Sequence, residues 1–152
     1  MNIEQLMSKD LRTCSQNDAL DCAARIMWEK DCGVVPIVDS DNRVVGMITD
    51  RDICVAAYTQ DRLLKHIPIS SIGMKPVVAV RPHDSPQTAE GLMQKHQVRR
   101  VAVTDERGRL VGMLSLNDLA REAARHPREL STDEVMKTLA VIGQPRATSA
   151  VS

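Results

Sequence analysis

The chain has 152 residues, 43% apolar and 26% charged, and its 20 Lys plus Arg balance 20 Asp plus Glu. This is the make-up of a globular protein of one ordinary domain or two very small ones. The balance removes the net attraction that a nucleic-acid binder needs, no apolar run reaches bilayer-spanning length, and Met1–Asp10 lacks the apolar core of a secretory signal, so cytoplasmic residence without a membrane partner is expected.

In chain order, the first predicted element is an extended stretch, Leu11–Cys14. A helix follows from about Asp18 to Asp31. Leu20, Ala23, Ala24 and Met27 share one face of it, Asn17 or Asp18 can cap its start, and Gly33 lies just past its end. Val34–Val38 and Val44–Ile48 are β-rich runs joined by the polar turn Asp39–Asn42, which reads as a hairpin. A helix from about Asp50 to Thr59 closes the unit. Gln60–Gly73 is a connecting segment, with Leu63, Leu64 and Ile67 expected to pack on the core. The order then recurs: extended Val77–Val80, a helix from about Asp84 to His96 with Pro86 tolerable in its first turn, a hairpin of Val101–Val103 and Leu110–Leu114, and a helix over Leu116–Arg125. A short helix is predicted over Thr132–Leu139, and Gln144–Ser152 reads as a mobile tail. The expected division is thus 5–60, a connection 61–73, 74–126, and a C-terminal helix and tail 127–152.

Residues 18–53 align with 84–119 at a constant offset of 66 without a gap, and ten positions are identical, among them Asp39/Asp105, Arg43/Arg109, Gly46/Gly112 and Asp52/Asp118. Chance gives roughly two or three such identities. One copy is too small to hide both faces of its sheet, so the expected fold is α/β (α+β): two pseudo-symmetric units, each strand-helix-strand-strand-helix, packed together. With Trp28 and Tyr58 the only aromatic residues, the core must be aliphatic. A flat ligand ring would be gripped by aliphatic side chains, and stacking platforms for single-stranded nucleic acid are disfavoured.

The junction of last strand and last helix carries the motif. It is Gly46-Met47-Ile48-Thr49-Asp50-Arg51-Asp52 in copy one and Gly112-Met113-Leu114-Ser115-Leu116-Asn117-Asp118 in copy two. One reading is a capping box, in which the hydroxyl caps the helix and the acid three residues later reaches back. The other is a ligand site: a short carboxylate accepting from vicinal ribose hydroxyls, with the hydroxyl and the N–H groups of the helix start facing phosphate. Spacing leaves both open. Arg51, Arg99, Arg100, Lys75 and His83 are candidate phosphate partners or ordinary surface charges; Arg99-Arg100 is favoured, because the pair precedes a strand expected to line a cleft.

The element order, the paired copies, the run Val35-Pro36-Ile37-Val38-Asp39 and the motif Gly46–Ile53 together resemble the CBS (cystathionine-β-synthase) domain family over roughly residues 5–125, and two copies in one chain resemble a Bateman module. The resemblance implies a regulatory ligand and no required cofactor: AMP, ADP, ATP or a related adenosyl compound held in clefts between the domains. It places Asp52 and Asp118 on the ribose and Thr49 and Ser115 on phosphate. Around the base it places Thr13, Cys14, Val34, Val35 and Pro36 in copy one and Ala79, Val80, Arg100, Val101 and Ala102 in copy two. It also implies a flat homodimer and an output through an effector protein in trans. Copy two departs from the pattern at Ala102, Leu116 and Asn117, so the sites are not expected to be equivalent.

No catalytic constellation is legible. His66, His83, His96 and His126 join no nucleophile motif, and His96, on the apolar stripe of its helix, reads as a core or interface residue. Cys14, Cys22, Cys32 and Cys54 contain no C-x-x-C pair; their spacing gives no support for a metal site, and they read as reduced, buried thiols. A purely structural dimerisation module is the first rival. A nucleic-acid binder using Arg99, Arg100, Arg107 and Arg109 is the second.

Overall fold

The computed structural model describes residues 1–146 and contains both predicted copies. The elements are α1 (Ile3–Leu6), α2 (Leu20–Lys30), β1 (Val34–Val38), β2 (Val44–Thr49), α3 (Asp50–Gln60), β3 (Ala79–Val80), α4 (Pro86–His96), β4 (Arg100–Thr104), β5 (Leu110–Ser115), α5 (Leu116–Arg125) and α6 (Thr132–Ile142). β1 pairs antiparallel with β2 and β4 with β5, and each hairpin shifts register at the same point, Ile37/Val38 and Val103/Thr104. β3 adds parallel to β4. In copy one the expected strand Leu11–Cys14 shrinks to a single bridge between Cys14 and Ile37. Cys14 accepts from Val38 N–H and donates its own N–H to Pro36, and the chain then turns where Asp18 Oδ2 accepts from Ser15 N–H at 2.8 Å.

That bond also explains a missed cap. Asp18 closes the turn, so α2 begins two residues later with Ala19 at its N-cap and no side-chain capping bond. Nor does Gly33 terminate the helix: α2, α3 and α4 end on Asp31 (φ 50°), Asp61 (φ 47°) and Gln97 (φ 50°), each left-handed. Each donates its N–H to the carbonyl four residues back, which offsets the strain. The turn identities have a local cause too. Asp39 Oδ1 accepts from the N–H groups of Asp41 and Arg43, and Asp39 Oδ2 accepts from Arg43 Nε; Asp105 does the same with Arg107 and Arg109. The Arg43 N–H bond, with those of Asp41 and the guanidinium, holds the Asp39 carboxyl below its usual range.

The chain builds two cores and exchanges segments between them. Leu20, Ala23, Ile26, Val35, Ile37 and Ile48 form the first core, which takes in Ile67 and Ile69 from the connecting segment. Met93, Val101, Val103, Leu114 and Leu119 form the second, which takes in Ile3 from the start of the chain. The lead-in to each copy therefore packs on the other copy. Backbone bonds fix both: Ile3 N–H to Asp84 O and Ser8 N–H to Met113 O at one end, Leu20 N–H to Ile67 O and Ile69 N–H to Asp18 O at the other. The connecting segment thus packs on copy one through Leu64, Ile67, Ile69 and Ile72. Within that segment Leu63 is exposed, not packed as expected, while Ile67 is fully buried.

Each lead-in seats a methionine on a motif glycine. A Cβ at Gly46 would stand 2.8 Å from Met74 Cβ, and one at Gly112 would stand 2.9 Å from Met7 Cγ. The approach that these glycines permit is thus made by the protein itself. A third cluster, with Ala102, Leu110 and Met113 against Leu11, Val34, Val38, Val44 and Met47, joins the two sheets. The hairpin tips pair across it, Val44 N–H to Gly108 O and Leu110 N–H to Asn42 O.

α6 is longer than predicted. It covers α4 and α5, burying Thr138, whose hydroxyl accepts from Gln94 Nε2 at 2.8 Å. His96 is exposed. The expected tail starts anchored, since Gln97 Nε2 donates to Val141 O and Gln144 O and Arg146 donates to Gln97 O; residues 147–152 lie outside the described residues. Under α6, Glu90 is 3% exposed and its Oε1 has no partner among the described residues. Burial, with Glu134 nearby, raises its pKa.

Two outcomes follow from this packing. Gly46→Ala forces Met74 out of place and should lower stability by about 1–3 kcal/mol in denaturant unfolding. Glu90 binds its proton more tightly folded than unfolded, so its ionisation costs stability as pH rises through the folded pKa, and that cost disappears below the ordinary glutamate range. Glu90→Gln should therefore raise Tm at pH 8 and leave it nearly unchanged at pH 4.

Candidate functional site

Two clefts lie between the copies, related by the same offset as the sequence repeat. The first, about 240 Å³, joins Met47, Thr49 and Asp52 of copy one to Lys75, Pro76, Val78, Gln97, Val98, Arg99 and Arg100 of copy two, with Arg146 and Val34. The second, about 420 Å³, joins Met113, Ser115 and Asp118 of copy two to Asp10, Leu11, Arg12, Lys30, Cys32, Val34 and Pro36, with Arg100. Each motif thus faces the lead-in of the opposite copy.

Both motifs form the capping box. Thr49 Oγ1 accepts from Asp52 N–H at 3.1 Å and Asp52 Oδ2 from Thr49 N–H at 2.9 Å; Ser115 Oγ accepts from Asp118 N–H at 3.1 Å and Asp118 Oδ2 from Ser115 N–H at 2.8 Å. The amides at the start of α3 are engaged as well, Asp50 N–H by Gly33 O and Arg51 N–H by Asp50 Oδ1. The expectation of free N–H groups facing phosphate therefore fails there, and any anion in the first cleft is left to side chains.

The clefts differ in what remains available. Asp52 Oδ1 and the Thr49 hydroxyl proton have no partner among the described residues. In the second cleft Ser115 Oγ donates to Asp118 Oδ2 at 2.7 Å, and Arg121 holds Asp118 Oδ1. Charge differs likewise. The first cleft sets Lys75, Arg99, Arg100 and Arg146 against one carboxylate, Asp52. In the second, Arg12 is paired with Glu29 and Lys30 with Asp10, which leaves Arg100 as the lining cation without an ion pair among the described residues.

The expected base-surrounding set is brought together only in part. Val34, Pro36 and Arg100 line the clefts. Thr13 and Cys14 do not; they border a separate concavity with Asn17, Val38 and Asp39. Val35, Val80 and Val101 are sealed in the two cores, and Ala102 in the contact between sheets, so none of the four presents a side chain to a cleft. β3 turns Ala79 outward, and it lines neither cleft. Arg51 points to another depression, beside Gln60 and Ser71, and His83 is exposed away from both. Sequence reasoning missed Gln97 and Arg146. The left-handed cap at Gln97 gave no glycine signal, and nothing in the repeat marks Arg146, which lies beyond it.

The cysteines also depart from expectation. Only Cys14 is buried, while Cys54 is exposed. Burial, together with its contact to Cys22, pushes the Cys14 thiol up to about 12.

The CBS domain family model matches residues 3–58 and 69–125. The chain therefore belongs to the CBS domain family, as a tandem pair with an α+β fold. It is 33% identical over 119 residues to the CBS domain-containing protein YhcV of Bacillus subtilis, covering 78% of this chain and 83% of that one. Among solved structures, hypoxic response protein I with two coordinated zinc ions matches with a TM-score of 0.71 and 30% identity, over 80% of this chain and 98% of that one. The CBS domain pair of protein MJ0100, in complex with 5′-methylthioadenosine and S-adenosyl-L-methionine, matches with a TM-score of 0.73 and 25% identity, over 82% and 97%. Pairs of this kind are generally regulatory ligand-binding modules. Among the described residues, no helix is long and apolar enough to cross a membrane.

Proposed function

We propose that this chain is a sensor that binds an adenosyl ligand carrying phosphate, an adenine nucleotide, in the first cleft, and that it works as a homodimer regulating an effector in trans. The observation that carries the reading is the company of Thr49 and Asp52: a free carboxylate oxygen and a free hydroxyl proton, with Lys75, Arg99, Arg100 and Arg146 around them. The carboxylate suits vicinal ribose hydroxyls, the hydroxyl and cations suit phosphate, and Val34, Met47, Pro76, Val78 and Val98 supply the aliphatic grip for a base. The adenosyl ligands of the MJ0100 pair support the ligand class. The second cleft, with its donor and acceptor already engaged, is the weaker site. A ligand regulates only through a difference in affinity between two states.

The fully formed capping boxes favour the rival structural module, so the test must separate the two. Calorimetric titration with AMP, ADP, ATP, S-adenosylmethionine and NAD should show a nucleotide binding at one site. Asp52→Ala should weaken it at least tenfold, whereas Asp118→Ala should leave it within about threefold. Absence of binding by all five at millimolar concentration rejects the sensor. Loss of the cap costs each variant about 1 kcal/mol in any case, which serves as the stability control. The nucleic-acid reading is less favoured, since Arg99 and Arg100 line a cleft and Arg109 is paired with Asp105.

For the homodimer, the relevant surface is the α2–α3 face. Trp28 is 88% and Tyr58 86% exposed on it, a large apolar display for a chain with no other aromatic residue. The position equivalent to Trp28 in copy two is Gln94, which α6 covers. Trp28→Glu with Tyr58→Glu should convert a dimer to monomer in sedimentation equilibrium without altering far-UV circular dichroism.

A further inference from the structure

Outside the clefts, among the described residues, one set of potential metal-ligating side chains converges beside the first core. Cys14 Sγ lies 3.1 Å from Cys22 Sγ, and Cys22 Sγ lies 3.9 Å from Asp18 Oδ2. The three residues bring their donor atoms within 4.8 Å of one another. Cys14 is 2% exposed, and Asp18 and Cys22 are half-buried at the start of α2.

Copy two shows that the turn needs no sulfur. There Asp84 Oδ2 accepts from Arg81 N–H at 2.8 Å, as Asp18 Oδ2 does from Ser15 N–H, while Val80 and Thr88 stand where Cys14 and Cys22 stand. The thiol pair is therefore an addition to a turn that closes without it, and Asp18 Oδ1 has no partner among the described residues. A tetrahedral ion with metal–sulfur bonds of about 2.3 Å and a metal–oxygen bond of about 2.0 Å sets S···S near ~3.8 Å and S···O near ~3.5 Å. The two Cys22 separations, 3.1 Å to Cys14 Sγ and 3.9 Å to Asp18 Oδ2, differ from these by less than about 1 Å, within reach of small side-chain rotations. A disulfide would need the sulfurs to close to about 2.05 Å and would give the neighbouring carboxylate no part.

We propose that Cys14, Asp18 and Cys22 form a three-ligand site for a thiophilic divalent cation of the zinc class, with its fourth position left to solvent. Binding replaces two thiol protons by the metal and releases both to solvent. Two thiolates and a carboxylate exceed the charge of a divalent ion by one. The ion would tie the bridge residue Cys14, and through it β1, to α2.

The test is anaerobic titration of reduced, metal-free protein with Co(II). One equivalent should bind, with thiolate-to-metal charge-transfer absorption that Zn(II) abolishes. Cys22→Ser should remove the absorption, Asp18→Asn should weaken binding at least tenfold, and Cys54→Ser, exposed on α3, should change nothing. In the unmutated protein, Zn(II) should protect Cys22, but not Cys54, from alkylation followed by mass spectrometry. No charge-transfer absorption in the unmutated protein, equal uptake by a folded Cys22→Ser variant, or alkylation of Cys22 unaffected by Zn(II) would overturn the assignment.

Discussion

The structure depends on the seating of one methionine from each lead-in over the motif glycine of the opposite copy, Met74 on Gly46 and Met7 on Gly112. A hairpin with two helices leaves a sheet face uncovered, and a unit of this size cannot close it alone. Exchange of the lead-ins closes both cores together: Ile69 enters the first and Ile3 the second. The same exchange makes the clefts, because a chain that crosses to the partner copy must run past the end of that copy's second strand. Lys75, Pro76 and Val78 thereby come to face Thr49 and Asp52, and Asp10, Leu11 and Arg12 come to face Ser115 and Asp118.

From nearly identical motifs the chain builds two unlike surroundings. The difference between Thr49/Asp52 and Ser115/Asp118 is small in sequence. It becomes large when hydrogen bonds are followed atom by atom, because Ser115 and Arg121 engage the groups that the other copy leaves available. Neighbours widen the gap. The cations of the smaller cleft face one carboxylate, while two of those lining the larger one are already paired with acids. Volume and capacity for an anion thus run in opposite directions.

The helices, the hairpins and the duplication were legible because each rests on local periodicity and turn chemistry. Asp39 with Arg43 and Asp105 with Arg109 belong to this class, since their partners lie within four residues. What was not legible depends on contacts between the copies. The base-surrounding set came from the family resemblance, yet alternation along β1 and β4 sends Val35 and Val101 into the cores and leaves Val34 and Arg100 on the cleft side. The lead-in exchange is equally silent in sequence: Ile3 and Ile69 look like ordinary apolar residues until their partners are known. The meeting of Cys14 and Cys22 escaped spacing rules because a bridge and a turn, rather than one regular element, bring them together.

Val34 and Arg100 occupy equivalent positions at the pseudo-two-fold and border both clefts. A single guanidinium cannot form its best contacts with two anions at once. Were both clefts to take anions, filling one would change the free energy of filling the other, by an amount equal in both directions. The duplication that yields two clefts thus leaves them sharing a wall, so that neither is an independent piece of surface.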